Sequence, residues 1–110
     1  MDALAHYRAI IRQLIMEYAS HKPAYGDIAS EVIIDEDKGH YEILQIGWQG
    51  ESRVHSAMLH IDLIGDKVWI QYDGTSPGVA PELVEAGIPR EAIVLAFHPA
   101  EARPYTGYAV

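Results

Sequence analysis

Between residues 3 and 20 the apolar side chains Leu4, Tyr7, Ile10, Ile11, Leu14, Ile15 and Tyr18 recur at the i, i+3, i+4, i+7 spacing of one helical face. The spacing predicts an amphipathic helix. Asp2 can accept amide hydrogen bonds at its start, His21 and Lys22 complement the negative end of its dipole, and Pro23 prevents continuation. Arg8, Arg12 and Glu17 fall on the opposite side, where a solvated face is the ordinary reading and a contact with an acidic partner the sharper one.

After a turn-rich stretch over residues 23–27 the period changes to two. Val32 and Ile34 alternate with Glu31, Ile33 and Asp35, and the run from Asp35 through Glu36, Asp37 and Lys38 to Gly39 reads as a turn. Residues 41–48 form a second predicted strand. A polar connection at Gln49, Gly50, Glu51 and Ser52 leads to a third over 53–64, and Gly65 with Asp66 makes a short hairpin before a fourth over 67–72. Connections this short join antiparallel neighbours, since parallel pairs need long crossovers. Parity sends Val32, Ile34, Leu44, Ile46, Trp48, Leu59, Ile61, Leu63, Val68, Ile70 and Tyr72 to one face, which the helix can cover. The other face carries Ile33, Tyr41, Ile43, Met58, His60 and Trp69 among Glu31, Asp35, Gln45, Asp62 and Gln71. A half-apolar face is seldom left wet, so either the C-terminal elements or a second subunit is expected to cover it.

The remainder is short and interrupted by proline. Residues 73–78 read as a loop and 79–86 as a two-turn helix that tolerates Pro81 only in its first turn, with Gly87 and Pro89 ending it. The run Ile93, Val94, Leu95, Ala96 and Phe97 is apolar throughout and reads as a strand; five residues alone do not separate a strand from a short helix. Pro99, Pro104, Tyr105 and Tyr108 mark the tail as an extended segment lying on a surface. The expected architecture is α+β: an N-terminal helix packed on a four- to five-stranded antiparallel meander, with a short C-terminal helix and an extended tail, in one domain over residues 1–110.

Charge and chemistry narrow the function. Sixteen Asp and Glu against 8 Lys and Arg give a formal charge of −8, which opposes autonomous binding to nucleic acid or an anionic membrane. The absence of cysteine removes disulfides, thiolate metal sites and cysteine nucleophiles. No apolar run is long enough to span a bilayer and no signal-peptide pattern opens the chain, so a cytoplasmic location is expected.

Few chemical constellations survive inspection. His60 and Asp62 lie two apart on one strand and share a face, with His55 on the other parity. A metal site needs a third ligand, and no recognised spacing supplies one, so a half-buried His satisfied by a carboxylate is the ordinary reading. The acidic turn at Asp35, Glu36 and Asp37 lacks the ligand alternation of a calcium loop, and residues 73–78 lack the lysine of a phosphate loop. No Gly-x-Ser-x-Gly elbow surrounds any serine. The residues therefore name no catalytic, cofactor-binding or metal-ligating group and no cofactor, and they favour binding over catalysis. Because aromatic side chains bury area while keeping a polar handle, the candidates for a partner or dimer interface are Tyr41, Ile43, Met58, His60, Trp69, Tyr105 and Tyr108.

The opening MDALAHYRAIIRQLIMEYASHKPAYGDI, the segment LHIDLIGDKVWIQYDGT and the closing ELVEAGIPREAIVLAFHPAEARPYTGYAV resemble the XisI family of cyanobacterial proteins. The resemblance covers essentially the whole chain and is most specific over residues 67–75 and 87–99; Pro81 departs from the better helix former expected in relatives. It implies a controlling factor for excision of the fdxN DNA element, acting with XisH and the recombinase XisF. It supplies no catalytic residues. The leading expectation is a non-enzymatic accessory factor, homodimeric, that works through contacts with a XisH-like partner of nuclease-related fold. A direct DNA-binding excision factor is the second reading, and a small metal-dependent enzyme using His60 and Asp62 the third.

Overall fold

Ile11, Leu14 and Ile15 are the buried residues of an 18-residue helix, α1 (Ala3–Ser20), as the heptad-like spacing requires. A computed structural model describes residues 3–21 and 27–110. The cap expected from Asp2 and the stop expected from Lys22 and Pro23 lie outside the described residues. After α1 the chain runs through β1 (Asp27–Asp35), β2 (His40–Gln49), β3 (Ser52–Ile64), β4 (Lys67–Asp73), α2 (Ala80–Ala86) and β5 (Ile93–Leu95). Short 3-10 segments occupy Arg90–Ala92 and Ala100–Tyr105.

The five strands form one sheet in the order β1-β2-β3-β4-β5. The first four pair antiparallel through tight connections, the first of them closing at Gly39, whose positive φ of 65° few side chains tolerate. β5 departs from the expected meander. It pairs parallel to β4, because residues 74–92, with α2 among them, form the crossover that returns the chain to the same end of the sheet. α2 places Pro81 in its first turn and stops where the Gly87 amide donates to the Val84 carbonyl. The tail is not simply extended: after its 3-10 turn it reaches Ala109, whose amide donates to the Ile93 carbonyl beside β5.

One face of the sheet meets α1. Tyr41, Ile43, Leu59, Ile61, Val68 and Ile70 are 0% exposed there and pack with Ile11, Ile15, Leu83, Ile88 and Ile93. Two members correct the sequence-based assignment, which put Tyr41 and Ile43 on the opposite face. The cause is register. The connection between β1 and β2 sets Asp35 opposite His40, so Val32 faces Ile43 and Ile34 faces Tyr41, and even positions of β1 share a face with odd positions of β2.

The β2–β3 register then shifts between Ile43 and Leu44, leaving Met58 without a β2 partner. Leu44 and Ile46, expected inside, alternate with Tyr41 and Ile43 and so leave the face that α1 covers, and Trp48, also expected inside, is 50% exposed. A second irregularity skips Gln71 between β3 and β4, setting Tyr72 opposite His60. Tyr72, also expected inside, is half exposed.

Candidate functional site

The outer face of the sheet, turned away from α1, is where chemistry gathers. Strand pairing lays two rows across it. One runs Ile33, Glu42, His60, Tyr72 and the other Asp35, His40, Asp62, Trp69. Because directly opposed residues sit only about 5 Å apart, four ionisable side chains meet at the centre. The two bulged positions, Met58 and Gln71, flank His60 on either side, the placement by which sheets commonly re-aim side chains.

Three donor atoms converge within this cluster. His40 Nδ1 lies 2.9 Å from Asp62 Oδ1, His60 Nε2 lies 3.0 Å from the same oxygen, and the two ring nitrogens are 3.2 Å apart. The imidazoles meet edge to face with centroids 4.5 Å apart. Each end of the arrangement has a further partner. Glu42 Oε1 stands 3.4 Å from His40 Nε2, and Gln71 Nε2 donates to Asp62 Oδ2 at 3.2 Å. The side chains of His40, His60 and Asp62 retain 30, 26 and 20% exposure, so the cluster is half-buried and open on one side.

Exposed apolar side chains flank this polar centre. Ile33 is 37% exposed and Ile64 48%, and both line a shallow depression with His40, Asp62, Asp35 and Lys38. Tyr72 stands beside His60. The C-terminal segment reaches this face at Trp69, over whose ring the Arg103 guanidinium sits at 5.5 Å. The expectation that the chain's own C-terminal elements reach this face is met at Trp69.

The interface candidates read from the sequence therefore separate. His60 and Trp69 lie on the outer face, whereas Tyr41 and Ile43 are in the core and present no free surface. Met58 is half-buried against the core, with Gln45 Nε2 donating to its sulfur. Tyr105 is 89% exposed on the tail, and Tyr108 is half-buried under the Arg90 guanidinium. His60 and Asp62 share a face as the spacing predicts. Sequence reading missed His40 and Glu42, which only the strand register brings to them.

On α1 the Arg8 and Arg12 side is not simply solvated. Arg12 pairs with Glu36 at 3.0 Å, and Arg8 Nε is buried with no hydrogen-bond partner. Among the described residues no helix is long and apolar enough to cross a membrane.

A family model described as XisI protein matches residues 1–110. The fold is similar to a crystal structure of a XisI-like protein from Anabaena variabilis ATCC 29413, with a TM-score of 0.90 and 36% identity over 97% of this chain and 98% of that chain. It is also similar to the crystal structure of fdxN element excision controlling factor XisI from the same organism, with a TM-score of 0.85 and 34% identity over 98% of both chains. No curated protein matches.

Proposed function

The chain belongs to the XisI family, and from that premise we propose that it is a non-enzymatic controlling factor for excision of a DNA element of the fdxN type. In this reading it acts in the cytoplasm through protein contacts, as a homodimer and with a XisH-like partner of nuclease-related fold. The observation that carries the reading is the outer sheet face. Ile33, Ile64 and Tyr72 stand exposed around the polar cluster on a sheet whose other side packs against α1, and large apolar groups exposed among polar ones are a mark of protein interaction sites.

Charge supports a protein partner over DNA. The chain carries −8, and much of its small basic complement is engaged internally: Arg12 with Glu36, Arg53 over Trp48, Arg90 over Tyr108 and Arg103 over Trp69. An acidic surface suits a partner whose own basic groups bind DNA, because it can occupy them in place of phosphate.

Size-exclusion chromatography with light scattering, on the chain alone and mixed with a XisH-like protein from the same genome, tests the reading. A mixed complex of summed mass is expected. Elution of both proteins at their separate masses would overturn the partner proposal. A gel shift whose affinity falls steeply with salt would then put direct DNA binding first.

A further inference from the structure

We propose that His40, His60 and Asp62 form a binding site for a divalent transition-metal ion of the zinc class, open to solvent on the outer sheet face. The proposal goes beyond the controlling-factor reading and stands whether or not a partner docks.

Geometry is its first support. Zinc bonds imidazole nitrogen and carboxylate oxygen at about 2.0–2.2 Å, which places neighbouring tetrahedral donors about 3.3 Å apart. The three donors here are separated by 2.9, 3.0 and 3.2 Å, slightly closer than bound donors would be. An ion at ordinary bond length from all three would sit about 1 Å outside their plane, as in a zinc site with three protein ligands and its fourth position free.

Proton bookkeeping is the second. Among these three atoms, both ring nitrogens address one carboxylate oxygen and also each other. A neutral His40 that gives its Nδ1 proton to Asp62 turns an unprotonated Nε2 toward the Glu42 carboxylate, an acceptor facing an acceptor. A metal on Nδ1 removes the conflict: Nδ1 binds as a lone pair, and the Nε2 proton goes to Glu42. Ligating histidines characteristically hold an outer carboxylate in this way. Gln71 performs the equivalent service for Asp62 by donating to its second oxygen.

Charge is the third. Ligation requires both imidazoles to be unprotonated, and in that state the carboxylates of Asp62 and Glu42 give the cluster a formal −2, which a divalent cation matches. The donor set selects among cations, since imidazole favours zinc, copper, iron and nickel, whereas calcium and magnesium prefer all-oxygen sites.

The test is isothermal titration of the tag-free full chain with zinc chloride at neutral pH, accompanied by visible absorption with cobalt(II) as a spectroscopic substitute. One equivalent per chain is expected, with d–d bands of a low-coordinate site. Asp62→Asn, which keeps the side-chain shape, and His60→Ala should each weaken zinc by at least about 100-fold. Glu42→Gln and Gln71→Ala should weaken it about tenfold, and His55→Ala, outside the cluster, should leave it unchanged.

Circular dichroism of each variant without metal establishes that it is folded. As a readout independent of any substitution, imidazole nitrogen NMR of the wild-type chain should show zinc on His40 Nδ1 and His60 Nε2. Absence of stoichiometric uptake by the wild type would overturn the proposal, and so would uptake that survives Asp62→Asn and His60→Ala or that NMR places on other histidines.

Discussion

The two faces of the sheet are made by the same strands and have opposite fates. On the inner face Tyr41, Ile43, Leu59, Ile61, Val68 and Ile70 are completely buried under α1 and its neighbours. Displaced by one residue, the outer face presents Glu42, His60 and Asp62, bordered by Ile33, Ile64 and Tyr72 at roughly half exposure. Strand alternation lets a chain of 110 residues devote one parity to holding together and the other to meeting something else. Small domains have little surface to spare for a dedicated binding lobe, so the second face of the sheet is the economical place for a site.

The sharpest separation of the faces is energetic. Ile61→Ala removes a fully buried side chain at the centre of the inner face and should cost about 2–5 kcal/mol in urea-induced unfolding, through lost transfer energy and the cavity left behind. Such a loss is a large share of the stability of a domain this size. A cost below 1 kcal/mol would mean that the inner face is not the stabilising one, and the comparison would fail.

Tyr41 tests a subtler property of the inner face, the polar end of a buried side chain. Its phenol is 0% exposed, and its hydroxyl donates to Glu36 Oε2 at 2.7 Å. Burial foremost, then the hydrogen bond to Glu36, push its pKa well above the ordinary tyrosine value. Tyr18, whose hydroxyl bonds Glu82, is pushed up to about 12, with that hydrogen bond foremost and burial next. A raised pKa means that the folded state favours the protonated phenol. This stabilisation is complete below the ordinary tyrosine value of 10.0 and is lost as pH rises through the folded values.

Tyr41→Phe should therefore cost about 1 kcal/mol at neutral pH, the net worth of one hydrogen bond. The gap between wild type and variant should narrow above pH 10, because the wild type alone loses the Tyr41 contribution there. Urea unfolding across the alkaline range, paired with tyrosinate absorbance, measures both. A gap that widens with pH would reverse the assignment.

Much of this division was readable from residues alone, and the part that was not has a specific cause. The α1 stripe, the hairpins and the burial of Ile93 and Val94 follow from period and turn chemistry. β2 defeats parity because both of its sides are apolar, Tyr41 and Ile43 on one and Leu44, Ile46 and Trp48 on the other, so pattern cannot choose between them. The choice is made by the Asp35–His40 pairing, a property of backbone register. The outer cluster was half visible for the same reason. His60 and Asp62 share a strand and are joined by spacing, whereas His40 and Glu42 arrive from the neighbouring strand and are joined only by register.

The smallest expected change in stability carries the most functional weight. Ile33 opposes Glu42 on the outer face and lines the depression beside His40 and Asp62, yet belongs to no part of the buried core. Ile33→Thr keeps a β-branched side chain on a strand, so it should alter unfolding free energy by only about 0.5 kcal/mol. If the outer face is the docking surface, the same substitution should weaken the XisH-like complex about tenfold, since a few well-packed side chains carry most of an interface's energy. Light-scattering titration of wild type and variant against the partner gives the binding ratio, and urea unfolding of the same samples gives the stability change. A variant that binds as tightly as wild type would move the interface away from this face. One that loses binding and several kcal/mol of stability together would place Ile33 among the residues that hold the fold, and the two faces would no longer be distinct in what they do.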